Sequence, residues 1–500
     1  MKKYMDFWSE IRNVVREFIA TPNLYKAFLY GIALYGIALF ALLRGDIYYM
    51  DDLNSSIIDL SWNHNSRYLG TFLLNDLSTF GKGALDMSPL LQVIAVCFVV
   101  ISSMILLYLI RGKFDFIGIV ASLPLGLSPH FLQNLSYKFE SLFMAMALFF
   151  AIVPFLFKEK IRIFCAISVV SLICLFMCYQ AANATYIILS LYFAFSAFFI
   201  KGRSFKESAL FLGICAANLI IASLIYKLTI NPIVPLGISD KTIALNSHFF
   251  IAVWANLAEY ATTIFNDFKQ MAYMWLIALN CVLFVINATI CANRPKIFVI
   301  FSATLFLALG FALSFGLYVV LEYPLFHPRA FYGFNALVAI IAIANISFAS
   351  RIDSNKILHY FSCTLAIITA YFLISFANIY GNALKKQDEY LDFRAKLLLQ
   401  DLSDKIPRGA SITIDISQIG TAPVTARFYS KYGALLLIPR LARQDDFWFN
   451  MKLRHLNAPY NFGNDEICNF IKEIFGSEVI FKNGYHTIER AKSCYIVMFR

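Results

Sequence analysis

The chain has 500 residues, of which 60% are hydrophobic, 16% aromatic and only 15% charged, with a mean hydropathy of +0.67. A soluble domain carries about 25% charged residues and is about half apolar, so the composition excludes a soluble globular protein and indicates an all-α polytopic membrane protein. The net charge of +11 does not mark a nucleic-acid binder, because Lys and Arg are dispersed in short stretches between apolar runs, where they set topology.

The N-terminal lysines precede an apolar run, as in a signal peptide. No A-x-A site follows, so an uncleaved first helix is expected. About 20 apolar residues span a bilayer. That ruler places spans near 26–43, 88–110, 115–131, 141–157, 162–178, 181–200, 208–226, 272–291, 297–320, 331–349 and 357–378, eleven in all. Basic residues crowd the N-terminal segment and the stretches 111–113, 158–162, 201–206, 293–296 and 350–356, whereas the opposite loops hold few. The basic side is cytoplasmic, and an odd number of spans puts the tail outside. The outward segments are then 44–87, 129–140, 179–181, 227–271 and 321–330.

Two domains follow: a transmembrane domain over 1–378, with its acidic first outer loop at 44–87, and a small extramembrane α/β domain over 379–500. In the tail, 382–406 has helical spacing and "PRGA" (407–410) breaks it. "SITIDI" (411–416), "ALLLIP" (434–439), "EVIFK" (478–482) and "CYIVMF" (494–499) read as strands. Most cysteines fall in apolar runs, where Cys acts as a small hydrophobe. Cys468 and Cys494 lie in the tail and could pair if it is periplasmic, or remain free thiols. The chain shows no P-loop, no G-x-G-x-x-G after a strand and no Cys/His spacing for zinc.

The unusual polar residues concentrate on the outer side, where ionisable groups near a bilayer are functional suspects. "YYMDDLNSS" (48–56) holds Asp51 and Asp52, which on a helix point about 100° apart, so only one readily faces a given cleft. The segment 56–80 alternates at roughly helical spacing, as expected of a helix lying in the interface, with Trp62 at headgroup level. The next outer loop, "SPHFLQNLSYKFESL" (128–142), offers Tyr137, Lys138 and Glu140. A tight turn follows with Gln180, which could cap backbone or read a hydroxyl. "LEYPLFHPRAFYGFN" (321–335) holds His327 and Arg329, and a guanidinium there suits a lipid phosphate. Carboxylates activate hydroxyls, cations hold a phosphate leaving group and aromatics stack on sugar rings. The set fits glycosyl transfer from a lipid phosphate carrier, a donor that needs no nucleotide motif.

"YYMDDLNSS" after the first helix, followed by "NSRYLG" (65–70), resembles the serotype-converting O-antigen glucosyltransferases encoded by temperate phages and related bacterial islands. That family has a Gly-Arg-like step where this chain has Ser66 before Arg67. "NLSYKFESLFMAMAL" (134–148), "YQAA" (179–182) and "HPRAFYGF" (327–334) are similar to its later outer turns. The resemblance implies a GT-C-class, inverting transferase of the bacterial inner membrane, with the N-terminus cytoplasmic and the tail periplasmic. It would move glucose from undecaprenyl-phosphate glucose to an O-antigen (lipopolysaccharide) sugar and so convert serotype. Partners would be that donor, the acceptor, membrane lipids, a donor-synthesising transferase and a flippase, with no nucleic acid. No cofactor is expected, and a divalent metal is left open. In these terms Asp52 is the base and Asp51 its neighbour or a sugar ligand. Arg329, Lys138 and Arg67 would bind the donor phosphate, while Glu140, Tyr137, Gln180 and His327 hold sugar hydroxyls.

Alternatives stay open. An O-antigen polymerase tends to use an arginine-rich outer loop, where this first loop is acidic. A transporter or flippase needs polar residues at mid-membrane, where these spans are nearly free of charge. The orientation is directly testable: alkaline phosphatase fused after residue 65 should be active, and the same reporter after residue 203 inactive. The reverse pattern would overturn it.

Overall fold

Apolar runs at the expected places form long helices, and in a membrane each must satisfy its own backbone. In the computed structural model, residues 2–58, 61–230, 241–292, 294–351, 356–433, 437–438, 446–463 and 466–500 are described. Among these, nine helices are long and apolar enough to cross a bilayer, or ten if one bent pair is a single span. The nine are Leu24–Leu43, Leu90–Arg111, Ile161–Cys178, Gln180–Phe199, Phe205–Ile230, Ala272–Cys291, Lys296–Leu313, Tyr332–Ala349 and Lys356–Ser403.

Two of the eleven expected spans differ. The run at 115–131 is two helices, Phe116–Leu127 and Pro129–Ser136, bent by 67°. Pro129 opens the second of them, and proline lacks the N–H needed to continue a helix. Ser141–Phe157 is apolar but shorter than the spanning helices. The Tyr332–Ala349 helix is buried along its whole length, as an all-round apolar sequence requires. Its Asn345 donates to the Asn280 carbonyl at 3.0 Å, and Asn287 donates to Asn345 Oδ1 at 3.3 Å. Such amide pairs hold helices together where apolar contact with lipid is no worse than with protein.

Charged groups sort to two ends. At one, Arg203 meets Glu159 at 2.6 Å, Lys160 meets Glu10 at 3.9 Å and Arg294 donates to the Arg203 carbonyl. At the other, segments 44–87, 128–140 and 316–331 pack together with the tail. The first of these is not the continuous interfacial helix that its spacing suggests. It folds as short turns, Asp52–Ser55, Trp62–Asn65, Tyr68–Thr71 and Phe72–Leu77. Trp62 is buried rather than at headgroup level, because these turns lie on the 137–143 segment, where Trp62 meets Phe143 edge-on. Asp59 lies outside the described residues. The stretch 227–271, read as a loop, contains the helix Phe249–Phe268, tied to the bent pair by His130 and Asp267 at 2.8 Å.

The last spanning helix, Lys356–Ser403, runs 48 residues without a break, about 70 Å at 1.5 Å per residue. Residue 379, where the sequence reading starts the tail, lies inside it. Its outer half presents Leu391, Ala395, Leu398 and Leu402 to the tail's own core of Ile412, Ile414, Phe449, Ile488, Val497 and Phe499. The tail sheet is five-stranded, ordered β2(Asn461–Gly463), β1(Ser411–Asp415), β5(Cys494–Phe499), β4(His486–Ala491), β3(Glu478–Lys482). β1 runs parallel to β2 and β5, and the other pairs are antiparallel. Cys468 and Cys494 form a disulfide. Of "ALLLIP", residues 434–436 and 439 lie outside the described residues. Leu437 and Ile438 form a turn, buried not in the sheet but in the membrane domain's apolar core.

Arg394 holds the tail to the long helix. It is 2% exposed and donates to the Tyr390 hydroxyl at 2.6 Å and to the carbonyls of Ile419 at 2.6 Å, Tyr485 at 2.7 Å and Arg500 at 3.0 Å. Each buried acceptor left unpaired costs about 1–3 kcal/mol. Arg394→Met should therefore destabilise the tail by about 3 kcal/mol or more, seen as rapid trypsin release of residues beyond 407 from intact membranes.

Candidate active site

A cavity of about 610 Å³ opens at the end of the helical bundle where the tail packs, between residues 51–67, the 178–183 turn, the end of the Phe205–Ile230 helix and the 317–325 segment. Its polar lining includes Asp51, Arg67, Glu140, Lys227 and Arg329, and its rings include Trp62, Phe176, Tyr226, Tyr318 and Tyr323. Gly316, with φ 62°, turns the chain into the 317–325 wall, and a Cβ there would come within 2.5 Å of Asn183 Oδ1. Two carboxylates and three cations thus face one another across a small volume with an aromatic and aliphatic floor.

The acidic pair divides its roles. Asp52 begins the short helix Asp52–Ser55 and is 1% exposed. Its carboxylate accepts from the amides of Tyr49 at 3.0 Å, Lys138 at 2.9 Å and Phe139 at 3.2 Å. Burial pushes its carboxyl well above the usual range, and those three amides pull against it. It ties two outer segments together and does not line the cavity. Asp51, one residue earlier and so turned about 100°, does. Of the acidic pair, Asp51 and not the expected base Asp52 therefore lines the cavity. Met50 takes φ 48° to make that turn, a cost of the kind found at functional sites.

Lys138, expected to bind the donor phosphate, does not line the cavity. Its ammonium turns away from the cavity to Asp46 at 2.6 Å and Asp86 at 3.1 Å, 3.9 Å above the Tyr48 ring. Burial raises the Asp86 carboxyl, but the Ser88 amide, the Tyr48 hydroxyl and Lys138 outweigh it and hold Asp86 below the usual range. Arg67 and Arg329 do line the cavity. Arg67 stacks over Tyr179 at 4.5 Å, donates to Gln180 Oε1 at 3.4 Å and lies 3.9 Å from Glu140. Glu140 is oriented by the Trp62 indole N–H at 2.7 Å.

Arg329 donates to the Tyr137 hydroxyl at 2.9 Å, and its own amide donates to Gln133 Oε1 at 2.8 Å. Burial works against its charge. The surrounding tyrosines and the carboxylates of Asp51 and Glu140 more than offset that, so it stays protonated. Tyr137, expected to hold a sugar, is wholly buried behind Arg329 and positions it. Gln180 lines the cavity, but its amide nitrogen donates to the Asn65 carbonyl and the Tyr226 hydroxyl, both at 3.0 Å. His327 lies outside the cavity lining. Burial and nearby Arg329 push its imidazole down to about 4, leaving it neutral at physiological pH.

Several residues escaped the sequence reading. Asn54, Asn65, Asn183, Tyr226, Lys227 and Tyr318 line the cavity, brought there from four separate segments. Gln133 supports Arg329 from the bent helix pair, and a glutamine beside an apolar run was the one signal available for it. Among the described residues no three His, Cys, Asp or Glu side chains gather as a metal-binding group.

The sequence model of the glucosyl transferase GtrII family matches residues 39–340, a span that holds every residue lining the cavity. An uncharacterized 55.3 kDa protein in the gtrB 5′ region of Salmonella phage P22 is 29% identical over 245 residues, 46% of this chain and 49% of that protein. The chain thus spans about half the length of the curated relative it matches. No solved structure matches it.

Ser66 explains a departure in the sequence. It sits at φ 55° immediately before Arg67, in the left-handed region that glycine adopts freely and other residues enter at about 1–2 kcal/mol. Ser66→Gly should keep the Arg67 turn and leave the thermal midpoint unchanged or higher. Ser66→Val, β-branched at positive φ, should lower it. Unfolding of the purified variants reads both.

Proposed function

Since the chain belongs to the GtrII glucosyl transferase family, we propose that it transfers glucose from undecaprenyl-phosphate glucose to a sugar hydroxyl of an O-antigen repeat. The reaction would take place at the outer face of the bacterial inner membrane. Family membership supports a glycosyltransferase over the transporter and flippase alternatives. The observation that carries the finer reading is the single cavity in which Asp51 faces Arg329 and Arg67. A transfer site needs a proton acceptor and a phosphate-binding pair within one small volume, and a carboxylate with two guanidinium groups in one cavity supports that reading.

In this reading the acceptor hydroxyl attacks the anomeric carbon and its proton passes to Asp51. The new bond joins the acceptor oxygen to that carbon. The bond from the anomeric carbon to the phosphate oxygen breaks, and its electron pair leaves on undecaprenyl phosphate. Attack opposite the leaving group inverts the anomeric centre. Arg329 and Arg67 stabilise the negative charge that grows on the departing phosphate, the main electrostatic task of such a step. Tyr137 and Gln133 keep Arg329 in place, and Tyr179 does the same for Arg67. Glu140 and the cavity's asparagines are suited to sugar hydroxyls, and Trp62, Tyr226 and Tyr318 supply ring faces.

General-base catalysis contributes about 10²–10⁴-fold. Asp51→Asn should lower kcat by that order with an unchanged unfolding midpoint. Asp52→Asn places an amide N–H₂ among backbone donors and should instead lower stability by about 2 kcal/mol, and the unfolding midpoint with it. Both are read by glucose transfer in reconstituted vesicles beside thermal unfolding. Normal turnover by Asp51→Asn would remove it from the mechanism.

A further inference from the structure

The cavity has a lateral side that the reaction chemistry leaves unexplained. One edge is the last turn of the Phe205–Ile230 helix, whose Ser223, Tyr226 and Lys227 line it. The facing edge is the segment around Leu321 and Tyr323, with Tyr323 55% exposed. At Tyr226 the helix passes into a wider, π-type turn ending at Ile230. There the Tyr226 hydroxyl donates to the Ser66 carbonyl at 3.3 Å and accepts from Gln180 at 3.0 Å, fixing that turn against the cavity wall.

Lys227 follows, exposed, at the rim. Among the described residues no carboxylate lies within ion-pair distance of it. By helical spacing it stands three residues above Leu224 and seven above Ile220, on one stripe. That stripe is bare: Ile220, Leu224 and Leu228 are 58%, 51% and 71% exposed. An apolar track therefore leads from the rim down the helix toward the bilayer interior, capped by a cation where the track meets the cavity. A lysine that merely snorkelled to the headgroups would have no reason to line the cavity as well.

We propose that the gap between the end of the Phe205–Ile230 helix and the 321–323 segment is the membrane portal of the cavity. There Lys227 binds the phosphate of an isoprenoid-phosphate sugar whose chain lies along Ile220, Leu224 and Leu228. The charge pattern fits one occupant, an anionic headgroup on a long apolar chain. Lys227 is a flexible point charge that meets the phosphate at the rim, and Arg67 and Arg329 receive it deeper in. This inference rests on the glucosyl-transfer reading above.

The test uses the full-length protein in phospholipid vesicles with two donors, undecaprenyl-phosphate glucose and a short, water-soluble isoprenyl-phosphate glucose. Lys227→Ala should raise KM for both donors about tenfold, the loss of about 1.4 kcal/mol of binding, with kcat largely kept. The double variant Leu224→Gln with Leu228→Gln should raise KM for the long donor alone. An unchanged KM in Lys227→Ala, or an equal effect of the leucine pair on both donors, would overturn the portal. A photoreactive residue at position 224 gives a second measurement independent of polar substitutions. It should capture radiolabelled undecaprenyl-phosphate glucose, competed by unlabelled donor, whereas the same group at lipid-facing position 309 should not. Equal capture at both positions would also overturn it. An unaltered protein that consumes neither donor would sink the glucosyl-transfer reading itself, a result distinct from either of these.

Discussion

One buried carboxylate organises the end of this protein where the cavity opens. Asp52 gathers the amides of Tyr49, Lys138 and Phe139 and so joins the first outer loop to the turn before the Ser141–Phe157 helix. Buried amides without partners are costly, and neither segment has a sheet or a long helix of its own to satisfy them. The consequences spread from there. Lys138 is directed away from the cavity toward Asp46 and Asp86. Tyr137 is directed inward to Arg329, and Glu140 is brought beside Trp62 and Arg67. Asp51 is left as the member of the pair that lines the cavity.

The tail contributes to this arrangement in an unexpected way. The Leu437 carbonyl accepts from the Tyr49 hydroxyl at 2.7 Å and from the Tyr380 hydroxyl at 3.2 Å. Tyr49 also accepts from Gln133 at 3.0 Å, and Gln133 in turn accepts from the Arg329 amide. A chain of buried hydrogen bonds therefore runs from the tail to a cavity cation. In a low-dielectric setting such a network is favourable only when every member is satisfied. The tail is thus a structural support of the cavity as well as a sheet-bearing region of its own, and the unbroken Lys356–Ser403 helix keeps the two in register.

The membrane part and the site place opposite demands on polar groups. Within the spans, buried polar groups include amide pairs such as Asn287 with Asn345 and hydroxyls bonded to the preceding turn, such as Ser190 to the Tyr186 carbonyl. At the cavity end, charges of both signs lie among aromatic rings, and Arg67, Arg329, Glu140 and Lys138 each engage a neighbour. A guanidinium stacked on a tyrosine, as Arg67 is on Tyr179, is held in place with little loss of charge. That is the condition for stabilising a charge that appears only during reaction.

Much of the fold was legible in the sequence, because crossing a bilayer requires long apolar runs whatever their neighbours. Nine of the eleven expected spans, three of the four expected tail strands and the concentration of unusual polar residues at one end could be read directly. The disulfide partners were partly visible, from compartment, whereas the bend at Pro129 was read as part of one straight span. What the sequence could not decide was which way adjacent side chains turn. Asp51 and Asp52 are indistinguishable in composition, and only the docking of the loop onto residues 137–139 separates them. Lys138 and Arg329 looked equivalent as phosphate ligands until nearby carboxylates claimed the lysine. Lys227, Asn183 and Tyr318 became one site only when segments far apart in sequence met. Hydropathy is a local property and is written along the chain; the direction of a carboxylate depends on which distant amides need it, and that exists only in the folded molecule.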